Sequence, residues 1–375
     1  MVPDTGVTLR QFPHKAVESY GEVEFARLDR KLAMFHALSS EDKQLLPEFE
    51  PRMSAIAECI EVNVTLLSRI ADSATSISSS SDLSVPQENG HPTPNSPSLP
   101  SEQTTDRAAE EKQLLSSEIR RGFTLLARDW SAVGEQQRDA CYKPLVEAVD
   151  SAYKEASQTN QSLSRDAFRV LVPGAGAGRL PWELVRRGFA VEGCESSFTA
   201  LLVGNYALNS VSGEAASTIY PFVHEQSNVA SQKAATRPVS VPDVNPKDIP
   251  NVADFAMRAG NFVHAYEGHD NAWDAVVSCL AFDLGDAVIE HVRRVSQVIK
   301  PGGMWAFIGP MPCFDGGQME GIHLSVEEFL GIVRRCGFTM VKMEEVEVSH
   351  TADAESLRSI QLRCPFVVAV KERPS

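Results

Sequence analysis

Residues 170–179 read Val-Leu-Val-Pro-Gly-Ala-Gly-Ala-Gly-Arg, and this stretch decides the fold. Its first four residues form a short apolar run that is typical of a buried strand. The glycines Gly174, Gly176 and Gly178 follow at once, and a helical pattern begins at Leu180. Because glycine lets the backbone approach a ligand and a helix N-terminus is electropositive, this order predicts a ligand-binding turn in an α/β fold.

A second predicted strand follows that helix and ends on a carboxylate. It is the run Phe189-Ala-Val-Glu-Gly-Cys-Glu195, with Glu195 at its carboxyl end. A carboxylate in this place can accept hydrogen bonds from both ribose hydroxyls of a nucleoside. The pattern therefore predicts a nucleoside-bearing cofactor. The glycine spacing alone leaves NAD, S-adenosylmethionine and a turn without any ligand open.

The later part of the chain favours one of these cofactors. Residues 273–283 are predicted as a buried strand with Asp283 at its carboxyl end, and a helical pattern follows it. That helix is closed by Lys300-Pro-Gly-Gly303 before the apolar strand 304–310. This arrangement resembles the crossing from the fourth to the fifth strand of class I S-adenosylmethionine methyltransferases and is unusual in dehydrogenases. The same residues are also simply a good helix stop.

The composition indicates an acidic protein with enough apolar residues for a large core. The 375 residues are 43% hydrophobic, and 50 acidic against 35 basic side chains give a net charge of −15. This length suits one large domain with an accessory region, and the acidity disfavours nonspecific binding to nucleic acid.

The cysteines and the apolar runs bear on the compartment. Seven scattered cysteines without a Cys-x-x-Cys pair indicate reduced thiols, not disulfides or a metal site. The sequence has neither a signal-peptide pattern nor an apolar run of membrane-spanning length. We therefore expect a soluble protein of the cytoplasm, with the nucleus as a second location, and no membrane partner.

The patterns divide the chain into three regions. Residues 1–70 are predicted as an N-terminal helical region, because they contain amphipathic segments. Residues 71–110 are rich in Ser, Pro, Thr, Asn and Gln and are predicted as a disordered linker. Residues 111–375 then form the catalytic domain, in which the irregular stretch 209–251 is interpreted as a cap over the substrate side of the pocket. A divergent surface insertion is the alternative for that stretch.

Several unusual blocks of sequence resemble one family, the carnosine N-methyltransferases, which methylate the imidazole of β-alanyl-histidine to give anserine. The resemblance runs from about residue 17 to residue 371 without the linker. Its blocks are 128–144, the glycine loop at 171–180, 220–228 and 242–246 in the insertion, and 300–310. The upstream block and the insertion are uncommon among methyltransferases, so the resemblance is specific to this family.

The resemblance implies S-adenosyl-L-methionine as the cofactor. Its candidate ligands are Arg128, Gly174, Gly176, Gly178, Glu195, Asn261 and Phe262. Arg128 would reach the carboxylate of the cofactor, the glycine loop would line its methionine and ribose end, and Glu195 would bind the ribose hydroxyls. The family has Asp-Phe where this chain has Asn261-Phe262. An amide oxygen should accept the adenine amino proton more weakly than a carboxylate does, and the Phe ring would lie against the adenine.

The resemblance also makes Asp283 the candidate catalytic and substrate-binding residue. A neutral imidazole has one nitrogen with a free lone pair for in-line attack on the sulfonium methyl group. A carboxylate that accepts the N–H of the other nitrogen would fix the tautomer and raise the nucleophilicity. A helix N-cap is the alternative role for Asp283.

The chain departs from the family where the acceptor would bind. After Gly309-Pro310 the family has a Tyr-His pair, whereas this chain has Met311-Pro-Cys-Phe314, with Phe314 in the place of the histidine. Before the last strand, residues 358–363 replace the family's tyrosines. If the lost hydrogen bonds were buried, the binding of a polar dipeptide would weaken. His224, His264 and His323 are candidate replacements for the missing histidine.

These observations lead to a doubly wound α/β methyltransferase with an N-terminal helical extension that packs on its own domain or mediates a homodimer. Its expected partner is a small histidine-containing dipeptide. A methyltransferase for another small nitrogenous metabolite is the first alternative, and a non-catalytic cofactor-binding scaffold is the second. A nicotinamide dehydrogenase is disfavoured, because no Tyr-x-x-x-Lys or His–acid pair can be recognised.

Overall fold

In the computed structural model the described residues are 12–78, 102–209, 216–225, 227, 229–251, 254–281, 288–310, 324–349, 353 and 355–373. The helices are α1 (Phe12–His36), α2 (Ser40–Gln44), α3 (Phe49–Ser78), α4 (Glu102–Trp130), α5 (Glu135–Thr159), α6 (Arg179–Arg186), α7 (Phe198–Asn209), α8 (Gln232–Ala235), α9 (Phe262–Ala265), α10 (Val288–Val298) and α11 (Val326–Arg335). The strands are β1 (Arg169–Pro173), β2 (Ala190–Glu195), β3 (Ser217–Ile219), β4 (Val239–Val241), β5 (Phe255–Ala259), β6 (Trp273–Cys279), β7 (Ile299–Ile308), β8 (Phe338–Ser349) and β9 (Gln361–Lys371). None of the described helices combines the length and the apolar character needed to cross a membrane.

Seven of these strands form one sheet, in the order β5-β2-β1-β6-β7-β9-β8. The first five are parallel, and β9 runs antiparallel to both of its neighbours. The chain winds outward from β1 in one direction and then continues from β6 in the other, so the strand order switches between them. In such sheets ligands bind outside the carboxyl ends of the strands at the switch point. The predicted doubly wound, mostly parallel α/β fold is confirmed.

The central strand β1 is apolar because helices cover both faces of the sheet. Successive side chains of a strand point to opposite faces. Val170 and Val172 belong to the core between the sheet and α5, whereas Leu171 belongs to the core under α10 and α11. A strand buried on both faces reads as a continuous apolar run instead of an alternating one. This explains why the glycine loop is preceded by Val-Leu-Val-Pro.

The N-terminal helices pack on their own domain. Helix α1 contacts both α3 and α4, and α3 and α4 also pack on α7 of the catalytic domain. Tyr20, Ile60 and Phe123 share one buried core with Trp182 and Val203. Of the two arrangements that the sequence left open for the extension, the structure shows this one.

The helices extend beyond the predicted limits of the linker. Helix α3 continues to Ser78 and α4 begins at Glu102, so both ends of the 71–110 segment are helical. Ala71, at the predicted boundary, is completely buried in the core of the extension. Tertiary packing there stabilises a helix that the polar composition did not indicate. Residues 79–101 lie outside the described part of the chain.

The insertion packs against the N-terminal helices. Its strands β3 and β4 pair antiparallel, and Ile219 and Val241 are buried in the core of the extension. Asn63 of α3 binds both backbone groups of Tyr220: its Oδ1 accepts from the amide at 2.9 Å and its Nδ2 donates to the carbonyl at 3.0 Å. The insertion and the extension therefore form one structural layer. A cap over the substrate side stays a prediction for this segment.

Candidate functional site

The loop between β1 and α6 holds its glycines in left-handed conformations. Gly174 has a φ of 66° and Gly176 a φ of 57°, values that residues other than glycine rarely adopt. A Cβ on Gly174 would lie 2.5 Å from the Cβ of Ala281, so this glycine lets the chain after β6 approach the loop. A Cβ on Gly176 would come no closer than 3.6 Å to Nη2 of Arg128. Gly174 thus serves close packing, and Gly176 lies beside the paired side chains of Arg128 and Asp129.

The third predicted glycine, Gly178, stands at the start of α6. Its φ is 81°, and a Cβ there would lie 2.9 Å from a methyl group of Leu208 in α7. This glycine therefore allows the helix to begin close to α7. Its role is to permit this close packing of the loop on α7.

Glu195 ends β2 and binds the same loop. Its Oε2 accepts a hydrogen bond from the amide of Gly176 at 2.8 Å. Its Oε1 accepts from the amides of Ser196 at 2.8 Å and Ser197 at 2.7 Å. A carboxylate oxygen can accept two hydrogen bonds, so Oε2 keeps a lone pair for a further donor such as a hydroxyl. The structure thus brings Glu195 and the glycine loop together, as the sequence predicted.

Arg128 lies in the last turn of α4, close to the loop. Its Nε and Nη2 donate to the two carboxylate oxygens of Asp129 at 2.7 Å and 2.9 Å. Burial alone would lower the pKa of Arg128, but the neighbouring Asp129 carboxylate raises it well above its ordinary value. The guanidinium is therefore permanently charged. With a quarter of its surface exposed (25%), it still has room for an anion.

Asp129 and Tyr142 hold Arg128 in place through hydrogen bonds, and the sequence analysis did not single out either residue. Asp129 is fully buried, and its Oδ1 also accepts from the hydroxyl of Tyr142 at 3.0 Å. Burial and the Asp129 carboxylate raise the pKa of Tyr142 well above 10, so the hydroxyl stays protonated and donates. A bidentate pair held by a third group fixes the guanidinium plane. The signal in the sequence was the position of Asp129 directly after Arg128.

Asn261 and Phe262 follow β5 at the same edge of the sheet. Asn261 is the N-cap of α9, where its Oδ1 accepts from the amide of Val263 at 2.9 Å. Asn261 is exposed, and its Oδ1 already accepts this one hydrogen bond of the cap. Phe262 is only 7% exposed, and its ring centroid lies 4.7 Å from that of His291. Both residues therefore sit at the expected strand end, and their contact with an adenine stays a prediction.

A cavity lies at the carboxyl ends of β1 and β6. Its lining includes Arg128, Gln137, Tyr142, Gly174, Ala175 and Cys279. Two of the predicted residues, Arg128 and Gly174, therefore meet there, and Glu195 joins them through Gly176. Asp283 and Phe314 lie outside the described residues, and their roles stay predictions.

Strand β6 is shorter than predicted and ends in a constrained residue. The predicted strand reached Asp283, but the structure ends it at Cys279. Leu280 has a φ of 53°, and its amide donates to the carbonyl of Ile308 at 2.7 Å. A left-handed leucine is costly and persists only where the surroundings enforce it, commonly at functional sites. The apolar residues of this run gave no signal of the break.

The candidate histidines lie apart from the cavity or outside the described residues. The buried His224 belongs to the insertion, where its ring packs against Tyr20 of α1. It also lies 3.6 Å from a carboxylate oxygen of Glu24. These contacts indicate a structural role. His264 is exposed on α9, and His323 lies outside the described part of the chain.

Two features define a class I methyltransferase. The first is the sheet order with one antiparallel strand near its end, and the second is the glycine loop bound to the carboxylate at the end of β2. The family within that class follows from comparison of the sequence. A family model, carnosine N-methyltransferase, matches residues 105–373, and the chain belongs to this family.

Individual relatives agree with this assignment. The chain is 30% identical to the carnosine N-methyltransferase of Mus musculus over 359 residues, which are 95% of this chain and 84% of the mouse protein. It is 29% identical to that of Dictyostelium discoideum, covering 91% of this chain and 72% of that protein. Among solved structures, a SAM-dependent methyltransferase from Methanosarcina mazei aligns with a TM-score of 0.38 and 14% identity, covering 58% of this chain and 98% of that one.

Proposed function

We propose that the protein transfers the methyl group of S-adenosyl-L-methionine to an imidazole nitrogen of carnosine or a related histidine-containing dipeptide. With carnosine the product is anserine. The observation that carries this proposal is the match of the carnosine N-methyltransferase family over residues 105–373. It falls on a chain whose glycine loop, Glu195 and Arg128 meet at one edge of the sheet.

The residues at this edge fit the cofactor. Arg128 would bind its carboxylate, because the guanidinium lies beside Gly176 and Arg128 lines the cavity together with Gly174. Glu195 would accept from the ribose hydroxyls with the free lone pair of its Oε2. Asn261 and Phe262 would contact the adenine at the end of the neighbouring strand β5. When bound, S-adenosyl-L-methionine supplies an electrophilic sulfonium methyl group.

The acceptor needs orientation more than activation. A neutral imidazole already carries a lone pair on one nitrogen, so a strong base is not required. Asp283 follows β6 by four residues in the chain and would accept the N–H of the other nitrogen. This would select the tautomer whose lone pair points at the methyl group and would stabilise the positive charge that develops on the ring. Positioning of this kind can supply a large part of the acceleration.

One observation favours a second candidate, an acceptor other than carnosine. The segment before β9, where the family has tyrosines, carries Arg358 and Arg363, and both are exposed. Leu357 beside them is 70% exposed. A different small imidazole or amine compound would then occupy the acceptor site, while the cofactor site stays the same.

The test is methyl transfer from isotopically labelled S-adenosyl-L-methionine, followed by mass spectrometry with carnosine as acceptor. We expect conversion to anserine by the wild type and loss of turnover in Asp283→Ala, with the affinity for S-adenosylhomocysteine unchanged within about twofold. The matched control is Asp286→Ala, three residues further along the chain, which should retain turnover. Cofactor binding without turnover on carnosine or other imidazoles would contradict the proposal and favour a non-catalytic scaffold.

A further inference from the structure

The carboxylate of Asp243, in the insertion, binds two arginines next to the glycine loop. Its Oδ1 accepts from Nη1 of Arg179 and its Oδ2 from Nη2 of Arg138, both at 2.7 Å. The side chains of the two arginines are 5% and 7% exposed, and that of Asp243 is 14% exposed. Two nearly buried cations thus share one carboxylate from a segment that lies far away in the sequence.

The same two guanidinium groups hold the end of helix α4. Nη1 of Arg138 donates to the carbonyls of Arg128 and Ser131, both at 2.6 Å. Nη1 of Arg179 donates to the carbonyl of Asp129 at 2.9 Å. The last carbonyls of a helix lack partners within it and carry partial negative charge, so cations bind them well. The backbone amide of Asp243 completes the contact by donating to the carbonyl of Trp130 at 2.9 Å.

This helix end is also the part of the chain that carries Arg128. Its guanidinium is paired with Asp129 and borders Gly176, and the indole of Trp130 donates to the carbonyl of Ala177 at 2.9 Å. A change in the position of the last turn of α4 would therefore move Arg128 relative to the glycine loop. Asp243 is absent from the described lining of the cavity, so any effect it has on a ligand passes through Arg138, Arg179 and the helix end.

We propose that Asp243 is a positioning residue for cofactor binding: it holds Arg138 and Arg179 on the end of α4 and so fixes Arg128 beside the glycine loop. The proposal rests on the proposed function, because it assumes that Arg128 binds the carboxylate of the cofactor. It gives the insertion a part in cofactor affinity that is separate from any role as a cap.

The experiment measures binding of S-adenosylhomocysteine and of methylthioadenosine, which lacks the amino-acid carboxylate, by titration calorimetry on the full chain. Asp243→Asn keeps the shape but removes the charge, and we expect about tenfold weaker binding of S-adenosylhomocysteine with methylthioadenosine nearly unchanged. The matched control is Asp248→Asn in the same insertion. Its carboxylate lies 3.6 Å from Arg186 and its side chain is 73% exposed, so both affinities should stay at the wild-type value.

A double-mutant cycle with Arg128→Ala separates positioning from general stability. If Asp243 acts through Arg128, Asp243→Asn should weaken S-adenosylhomocysteine binding little further in the Arg128→Ala background. Equal weakening for both ligands, or full additivity with Arg128→Ala, would overturn the inference. If Asp243→Asn does not fold, Arg138→Lys replaces it, because one ammonium group cannot span two carbonyls and a carboxylate. The same ligand selectivity is expected, and its absence would again overturn the inference.

The wild type separates this inference from the proposed function. Failure of the wild type to bind S-adenosylhomocysteine would overturn both. Normal binding by the wild type with unchanged binding by Asp243→Asn would overturn the positioning role alone.

Discussion

Acidification should destabilise the fold through His291, a buried histidine that packs against Phe262. It lies in α10 and is 2% exposed. Burial lowers its pKa from 6.5 to about 3. The unfolded chain therefore binds a proton on this imidazole below about pH 6.5, whereas the folded chain does not do so until about pH 3. Acidification thus favours the unfolded state over that whole interval.

The size of the effect follows from linkage. Each unit of difference in pKa corresponds to about 1.4 kcal/mol, so the loss from this one group is about 2 kcal/mol between about pH 7.5 and about pH 5. His291→Leu removes the titrating group while keeping an apolar side chain in the core. The free energy of unfolding, measured in urea at the two pH values, should fall by about 2 kcal/mol more in the wild type than in the variant.

The control for this comparison is the exposed His264 on α9. His264→Leu should lose as much stability on acidification as the wild type, because removal of an exposed imidazole leaves the buried one in place. Equal losses in the wild type and His291→Leu would refute the reasoning. They would show that another group causes the acid sensitivity.

Two further changes test the cofactor edge and the layer beside it. In Glu195→Gln the side-chain NH₂ group faces a backbone N–H in either orientation, because both carboxylate oxygens accept hydrogen bonds from backbone amides. We expect the affinity for S-adenosylhomocysteine, measured by calorimetry, to fall about tenfold. The control Glu267→Gln, at an exposed position, should leave this affinity unchanged. Asn63→Ala leaves both backbone groups of Tyr220 without this partner and should lower the free energy of unfolding by about 2 to 4 kcal/mol in urea. A loss no larger than that of the exposed Asn160→Ala would contradict this account.

The local part of the site could be predicted from the sequence. The glycine loop and Glu195 depend on short-range patterns, a strand followed by glycines and a strand that ends on an acid, and the structure joins them by a hydrogen bond of 2.8 Å. Arg128 could be assigned only by resemblance. An arginine on a helix face looks the same in a sequence whether it faces solvent or a cavity.

The rest of the site depends on contacts between distant segments. Asp243 lies more than a hundred residues after Arg138, which it binds, and no local pattern connects the two. The predicted end of β6 was wrong for a similar reason. The contact between Gly174 and Ala281 and the left-handed conformation of Leu280 are set by tertiary packing. Helix α3 likewise continues past residue 70, because packing buries Ala71 in a segment whose composition is polar.

The pairing of Asn63 with Tyr220 has a consequence for the history of this fold. The extension and the insertion lie about 150 residues apart, and each supplies polar groups that the other satisfies. A chain that lost the insertion would leave the side-chain amide of Asn63 without these partners, and one that lost the first helices would leave the backbone of Tyr220 without the amide. Gene rearrangements should therefore have kept or discarded the two segments together. Their co-occurrence across related genomes is the trace that such selection would leave.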